Sequence, residues 1–142
     1  MTKPTIPALR FAPTLWASLC HLLLMAGVIV LLLGRKPGRL RSEALVDAVP
    51  GFYTHVFNFS LSYLLYVGAG LLWLMMGVPL RFVAWAGAAL VVANLGYEFL
   101  LPLLNTRDPL DAAYGIAGAL LGFAWLWTVR RFGLAPIPET AR

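Results

Sequence analysis

The chain has 142 residues, of which 61% are hydrophobic and only 12% are charged, and its formal net charge is +5. A soluble domain of this size typically has about 25% charged residues. Together with a mean hydropathy of +0.81, this composition excludes an ordinary soluble domain and indicates an integral membrane protein. Because no soluble basic domain is present, we expect the positive charge to face anionic lipid headgroups rather than nucleic acid.

Four apolar stretches are long enough to cross a bilayer, which takes roughly 20 residues in a helix. They cover residues 12–33, 52–77, 80–104 and 110–129. They predict an all-α integral membrane protein with four transmembrane helices in an antiparallel bundle, and a single transmembrane domain over residues 1–142. The first stretch exceeds the h-region of a secretory signal, about 7–15 residues, so we predict that it is a retained helix.

The connections between these stretches contain turn signals. The loop 34–51 carries four basic residues and the segment SEALVDAV, which favours a short interfacial helix. Gly-Val-Pro at 77–79 and Asn-Thr-Arg-Asp-Pro at 105–109 are typical of tight turns. The last three helices are therefore expected to be antiparallel neighbours, and the tail 133–142 is expected to be flexible.

The predicted topology places both termini on one side of the membrane. Six Lys or Arg residues lie at the termini and the 77–81 turn, and five lie in the other two loops. The positive-inside rule counts such residues near the ends of spanning helices. Six against five does not decide which side is cytoplasmic.

Polar residues in the last three stretches are expected to meet at one end of the bundle. His55 lies about one turn into the second stretch, Glu98 lies near the end of the third, and Asp111 begins the fourth. Helical spacing places Asn58 on the face of His55 and Asn94 on the face of Glu98. Because charged side chains in membrane segments usually pair or face water, the sequence predicts a polar cluster that is either a structural latch or an active site.

Other features of the same region have structural interpretations. Asp108 and Asp111 suit the first turn of a helix, where the helix dipole favours acids. Asp111 also heads a stripe of glycines, which allow close approach of another helix. His21 lies in the first stretch with no acid evidently near it, so we predict a packing role for it.

If the cluster is a site, its groups divide into two sets. The candidate acid–base or orienting groups are His55, Glu98 and Asp111. The candidate substrate-binding groups are Arg107, Asn58 and Asn94. Arg107 suits a phosphate because its planar guanidinium makes paired hydrogen bonds, and a histidine beside a carboxylate can exchange a proton. The sequence predicts no cofactor and no metal, because it has no nucleophile elbow, phosphate loop or Cys/His cluster. Whether the protein is an enzyme stays open.

The order of these residues resembles the VanZ-like family of small membrane proteins. In that family a helix carries His-Phe, a later helix carries Glu followed by Gln, an Arg lies about nine residues after the Glu, and Asp-x-x-x-Asn-x-x-Gly opens the last helix. The matching residues, over about residues 51–131, are His55 in THVFNF, Glu98, Arg107, Asp111 and Gly118. The chain differs at Leu101, where the family has Gln, and at Gly115, where it has Asn. It also lacks an Asp-Lys pair before His55.

The resemblance implies a bacterial inner-membrane protein with cytoplasmic termini and with the loops of the polar cluster outside the cytoplasm. VanZ-like proteins are associated with low-level resistance to the glycopeptide antibiotic teicoplanin. We therefore expect binding of, or action on, an envelope lipid or lipid-linked headgroup at the outer leaflet. The alternative is a structural or assembly subunit of a larger membrane complex, with the cluster as a latch. The expected partners are membrane lipids, including anionic ones, or other membrane proteins, and no nucleic acid.

Overall fold

The computed structural model describes the backbone of residues 9–100 and 108–138 and the side chains of residues 9–97 and 108–138. Its helices are α1 (Leu15–Leu33), α2 (Glu43–Ala48), α3 (Phe52–Met75), α4 (Leu80–Leu100), α5 (Pro109–Thr128) and a π-helix (Val129–Gly133). Its strands are β1 (Phe11–Pro13) and β2 (Leu134–Pro136). Within the described part of the chain, four helices are long and apolar enough to cross a membrane, which confirms the predicted all-α, four-helix membrane fold.

The central helix of the bundle is α3, which packs against α1, α4 and α5. The closest approach is between α3 and α5, where a side chain at Gly118 would overlap the carbonyl oxygen of Phe59. Gly122 similarly faces Tyr66 and Val67, each 3.0 Å from the position of an added methyl group. The glycine stripe on α5 therefore has the packing role that small residues have in membrane helices.

Two clusters of buried side chains form the core along α3. One consists of Tyr66, Leu74, Val83 and Leu126, and the other of Val28, Tyr63 and Val67. The hydroxyl of Tyr66 donates a hydrogen bond of 2.8 Å to the carbonyl oxygen of Val83. That bond satisfies the polar end of a buried ring, which would otherwise be costly away from water.

The first and last described segments meet at one end of the bundle, which we call the terminal end. Strands β1 and β2 pair antiparallel. The Arg10 amide donates to the Met75 carbonyl at the end of α3, and the Ile137 amide donates to the Arg10 carbonyl, over 2.8 and 3.0 Å. The opposite end, which carries α2 and the start of α5, is called the loop end.

Several predicted boundaries need correction. The first helix begins at Leu15 instead of residue 12, because residues 11–13 form β1. Residues 134–136 form β2 rather than a flexible tail, because their backbone pairs with β1. The second helix ends at Met75, before the 77–79 turn. The short helix expected in SEALVDAV is present as α2, and the predicted end of the third helix at residue 104 lies outside the described residues.

Candidate functional site

A histidine and two aspartates lie together at the loop end. His55 is the fourth residue of α3, Asp108 is the N-cap of α5, and Asp111 lies in the first turn of α5. The Nδ1 atom of His55 is 2.9 Å from an oxygen of Asp111 and 3.6 Å from an oxygen of Asp108. Each residue offers one donor atom, and these three atoms lie within 4.8 Å of one another, a spacing that one metal ion can bridge. We call these residues the His–Asp cluster.

The sequence around Asp108 explains why the two aspartates face the same way. The Asp108 carboxylate accepts a hydrogen bond of 3.0 Å from the Leu110 amide, and Pro109 occupies the first helical position. A capping aspartate followed by proline is a strong helix start. The helix-start role considered for Asp108 is therefore present, and the same residue also approaches His55. The signal for this contact was the Asp-x-x-Asp spacing, which puts both carboxylates on one helical turn.

Burial differs between the members of the cluster. His55 is only 8% exposed, and the Tyr114 ring lies 5.4 Å away. The side chains of Asp108 and Asp111 are 38% and 24% exposed, so water reaches the carboxylates more easily than the imidazole. With few waters around the ring, the short bond to Asp111 fixes its orientation.

The second ring nitrogen of His55 faces Gly51. Gly51 has a left-handed φ of +83°, and a side chain there would lie 3.8 Å from Nε2. In the tautomer in which Nδ1–H donates to Asp111, Nε2 carries the lone pair, and this edge of the ring lies on the Gly51 side. A carboxylate that orients a histidine in this way leaves the other nitrogen available to a ligand.

Gly51 also lines a cleft of about 400 Å³ at the loop end, which we call the arginine cleft. Its lining residues are Arg35, Arg41, Val46, Gly51, Phe52, Tyr53 and Thr54. Arg35 and Arg41 therefore line the same cleft as Gly51, the residue that His55 Nε2 faces. The functional prediction had not included Arg35 and Arg41, although the four basic residues of loop 34–51 were a signal that positive charge collects at this end.

Tyr53 holds the loop 34–51 against α3. Its hydroxyl accepts a hydrogen bond of 3.0 Å from the Ser42 amide, and the Arg41 guanidinium carbon lies 4.8 Å from its ring centroid. Arg35 lies 5.4 Å from the Phe57 ring centroid in the same kind of contact. Such cation–π contacts contribute roughly 0.5–1 kcal/mol at exposed sites, so they favour these positions of the two arginines only modestly.

Of the two asparagines predicted to bind substrate, Asn94 lies deeper in the bundle than the His–Asp cluster, and Asn58 lies next to the cluster on α3. The Asn94 amide nitrogen donates to the Ser62 hydroxyl at 3.1 Å and to the Leu90 carbonyl at 2.9 Å. A side chain at Gly115 would overlap the Asn94 amide, so Asn94 is wedged between α3 and α5. Asn58 is half-buried, one turn after His55 on α3. The described hydrogen bonds of Asn94 therefore connect α4 to α3, at a level one turn deeper in the bundle than Asp111.

The structure describes the remaining candidate residues to different extents. The backbone of Glu98 belongs to α4, one turn beyond Asn94 toward the loop end. Its side chain and the whole of Arg107 lie outside the described residues, so their predicted roles stay predictions. His21 accepts a hydrogen bond of 3.1 Å from the Trp125 indole and stacks on its ring, which agrees with a packing role.

The chain matches no protein-family model, no curated protein and no solved structure. The resemblance to the VanZ-like family therefore stays a prediction from the residues named above.

Proposed function

We propose that this VanZ-like protein binds the phosphate-bearing headgroup of an anionic envelope lipid in the arginine cleft, at the outer leaflet of a bacterial inner membrane. The observation that carries the proposal is the position of Arg35 and Arg41 on the wall of a 400 Å³ cleft beside a buried histidine. Guanidinium groups bind phosphate through paired, charge-assisted hydrogen bonds. A volume of this size is within the usual range for small-ligand sites.

The depth of the cleft supports a lipid as the ligand. Helix α3 has 24 residues and is about 36 Å long at 1.5 Å per residue, slightly more than the hydrocarbon thickness of about 30 Å. Its first residues are therefore expected at headgroup level. Phe57 and Leu61 are 41% and 44% exposed on the same helix. They offer an apolar surface to an acyl chain whose phosphate lies at Arg35, directly over the Phe57 ring.

The His–Asp cluster adds a candidate acid–base group to the proposed lipid site. His55 Nε2 faces the Gly51 wall of the cleft while Asp111 orients the ring, which is the arrangement of a general acid or base held by a carboxylate. A headgroup hydroxyl or phosphate bound near Gly51 would lie on the side of the His55 ring that carries Nε2. Arg107 and Glu98, from the adjoining turn and α4, are proposed as further contacts to the same headgroup.

Retention of a defined anionic lipid tests the proposal. The protein is purified in mild detergent, mixed with phosphatidylglycerol and analysed by native mass spectrometry. We expect the double variant Arg35→Gln, Arg41→Gln to retain at least tenfold less lipid than the wild type. The comparison variant is Arg130→Gln, Arg131→Gln, which removes two arginines from a second cleft of about 400 Å³ at the terminal end, lined by Leu80, Trp127, Arg130 and Arg131, and should retain lipid as the wild type does. Equal retention by the wild type and the cleft variant would refute the proposal.

A structural subunit is the second candidate. It is favoured by α4, because only 6% of the membrane-spanning window Leu80–Tyr97 is buried within the chain, against 11% for α1 and 39% for α3 and for Pro109–Gly133. A partner helix on α4 would bury that surface. Purification from native membranes distinguishes the two functions, since the first predicts a chain with bound lipid and the second a chain with protein partners in fixed ratio.

A further inference from the structure

We propose that His55, Asp108 and Asp111 bind a divalent transition-metal ion, for which Zn²⁺ is the probe. The donors are one imidazole nitrogen from α3 and two carboxylate oxygens from the start of α5. Donor atoms that each lie about 2.0–2.2 Å from one Zn²⁺ are about 2.8–3.1 Å from each other at octahedral angles and about 3.3–3.6 Å at tetrahedral angles. The distances of 2.9 and 3.6 Å from Nδ1 fall within these separations, and the three donor atoms all lie within 4.8 Å of one another.

Hydrogen bonding alone does not account for the arrangement of the cluster. Nδ1 carries either one proton or one lone pair, and its bond of 2.9 Å to Asp111 uses it. The nearest oxygen of Asp108 remains at 3.6 Å, beyond hydrogen-bond distance, although it faces the same nitrogen. A cation between the three atoms contacts both carboxylates and the nitrogen together. Its two positive charges also balance the two carboxylates.

The supporting contacts hold the donors in place. One Asp108 oxygen, Oδ1, accepts the Leu110 amide, while the other, Oδ2, is the oxygen nearest to His55. The His55 side chain is 10% exposed and its ring lies against Tyr114. Partners that orient ligands in this way raise metal affinity. Because the set contains a buried imidazole as well as carboxylates, it suits Zn²⁺ or Mn²⁺ better than Ca²⁺ or Mg²⁺.

Three protein donors leave at least one coordination position open on the exposed side of the two carboxylates. Water would fill that position in the absence of another ligand. A metal ion held there would also reduce the repulsion between the two carboxylates and a phosphate bound in the arginine cleft. This last step rests on the proposed function, whereas metal binding does not.

Metal binding to the purified full chain, free of any histidine tag and pretreated with chelator, is the direct test. We expect titration calorimetry to give one Zn²⁺ per chain. Asp108→Asn and Asp111→Asn should each weaken binding at least about tenfold, since loss of a residue that only orients a ligand already has an effect of that size. Asparagine still caps a helix, so Asp108→Asn keeps the fold while it removes a ligand. The matched controls, Glu43→Gln and Asp47→Asn, change acids of α2 at the same end of the bundle and should bind Zn²⁺ as the wild type does.

Cobalt provides a second readout. Co²⁺ bound through a nitrogen and two oxygens should give visible absorption bands that Asp108→Asn and His55→Ala lose. Absence of Zn²⁺ binding by folded wild-type protein would overturn the inference, and so would binding unchanged in both aspartate variants. Lipid retention is measured separately on the same samples. Zinc binding without lipid retention would refute the proposed function alone, and lipid retention without zinc binding would refute the metal site alone.

Discussion

Removal of the Asp111 carboxylate should destabilise the bundle, because it leaves Nδ1 of a buried histidine without its partner. The bond is 2.9 Å long and the His55 side chain is 10% exposed. A hydrogen bond to a charged group is worth about 1.5–3 kcal/mol. Because the Asp111 side chain is 24% exposed and therefore partly hydrated, we place Asp111→Ala in the middle of that range, at about 2 kcal/mol.

Asp111→Asn should cost only about 1 kcal/mol, because the amide oxygen still accepts from Nδ1–H although the charge is lost. The assay is reversible unfolding in mixed micelles, followed by circular dichroism, with chelator present so that no metal contributes. Asp47→Ala, an exposed acid of α2, is the control and should stay within about 0.5 kcal/mol of the wild type. If Asp111→Ala is as stable as that control, the pair does not stabilise the fold and the reasoning is wrong.

Three further predictions concern packing, topology and anion recognition. Gly118→Ala should reduce the yield of folded protein and its melting temperature in a thermal-shift assay, because the added methyl group would overlap the Phe59 carbonyl oxygen. Gly27→Ala should be neutral in the same assay, because nothing lies within 4 Å of a methyl group added there. A destabilisation of equal size in both would contradict the packing argument. In a Cys20→Ser background, single cysteines at positions 40 and 107 should be labelled from one side of the membrane and a cysteine at position 135 from the other; labelling of 40 and 107 from opposite sides would exclude the topology. Arg107→Lys should weaken retention of anionic lipid and Arg107→Gln should nearly abolish it without loss of fold, because one ammonium group cannot reproduce a planar guanidinium; unchanged retention in Arg107→Gln would leave Arg107 a structural role only.

The spanning helices could be predicted from the sequence because hydrophobic length is a local property. The bilayer sets the length, so each apolar stretch predicts one helix regardless of its neighbours. Strands β1 and β2 lacked such a signal. Each has three residues, and their pairing exists because the bundle brings residues 11–13 and 134–136 to the same end. The same pairing explains why the first helix starts later than its apolar stretch.

The His55–Asp111 contact could be predicted because membrane depth and helical spacing are both readable from the sequence. The arginine cleft could not, since the path of loop 34–51 depends on tertiary contacts of Tyr53 with the Ser42 amide and the Arg41 guanidinium. Membrane depth and helical spacing alone do not predict the contacts of Asn94. It is one turn deeper than the cluster, and at that level its amide is bonded to Ser62 within the bundle.

Photo-crosslinking of an anionic lipid measures the location of headgroup binding most directly. A phosphatidylglycerol analogue with a photoreactive headgroup is reconstituted with the protein in nanodiscs, irradiated, and the adducts are mapped by peptide mass spectrometry. Binding in the arginine cleft predicts adducts concentrated in residues 35–57 and lost in Arg35→Gln, Arg41→Gln. Adducts distributed equally between the loop end and the terminal end, or unchanged in that variant, would contradict it.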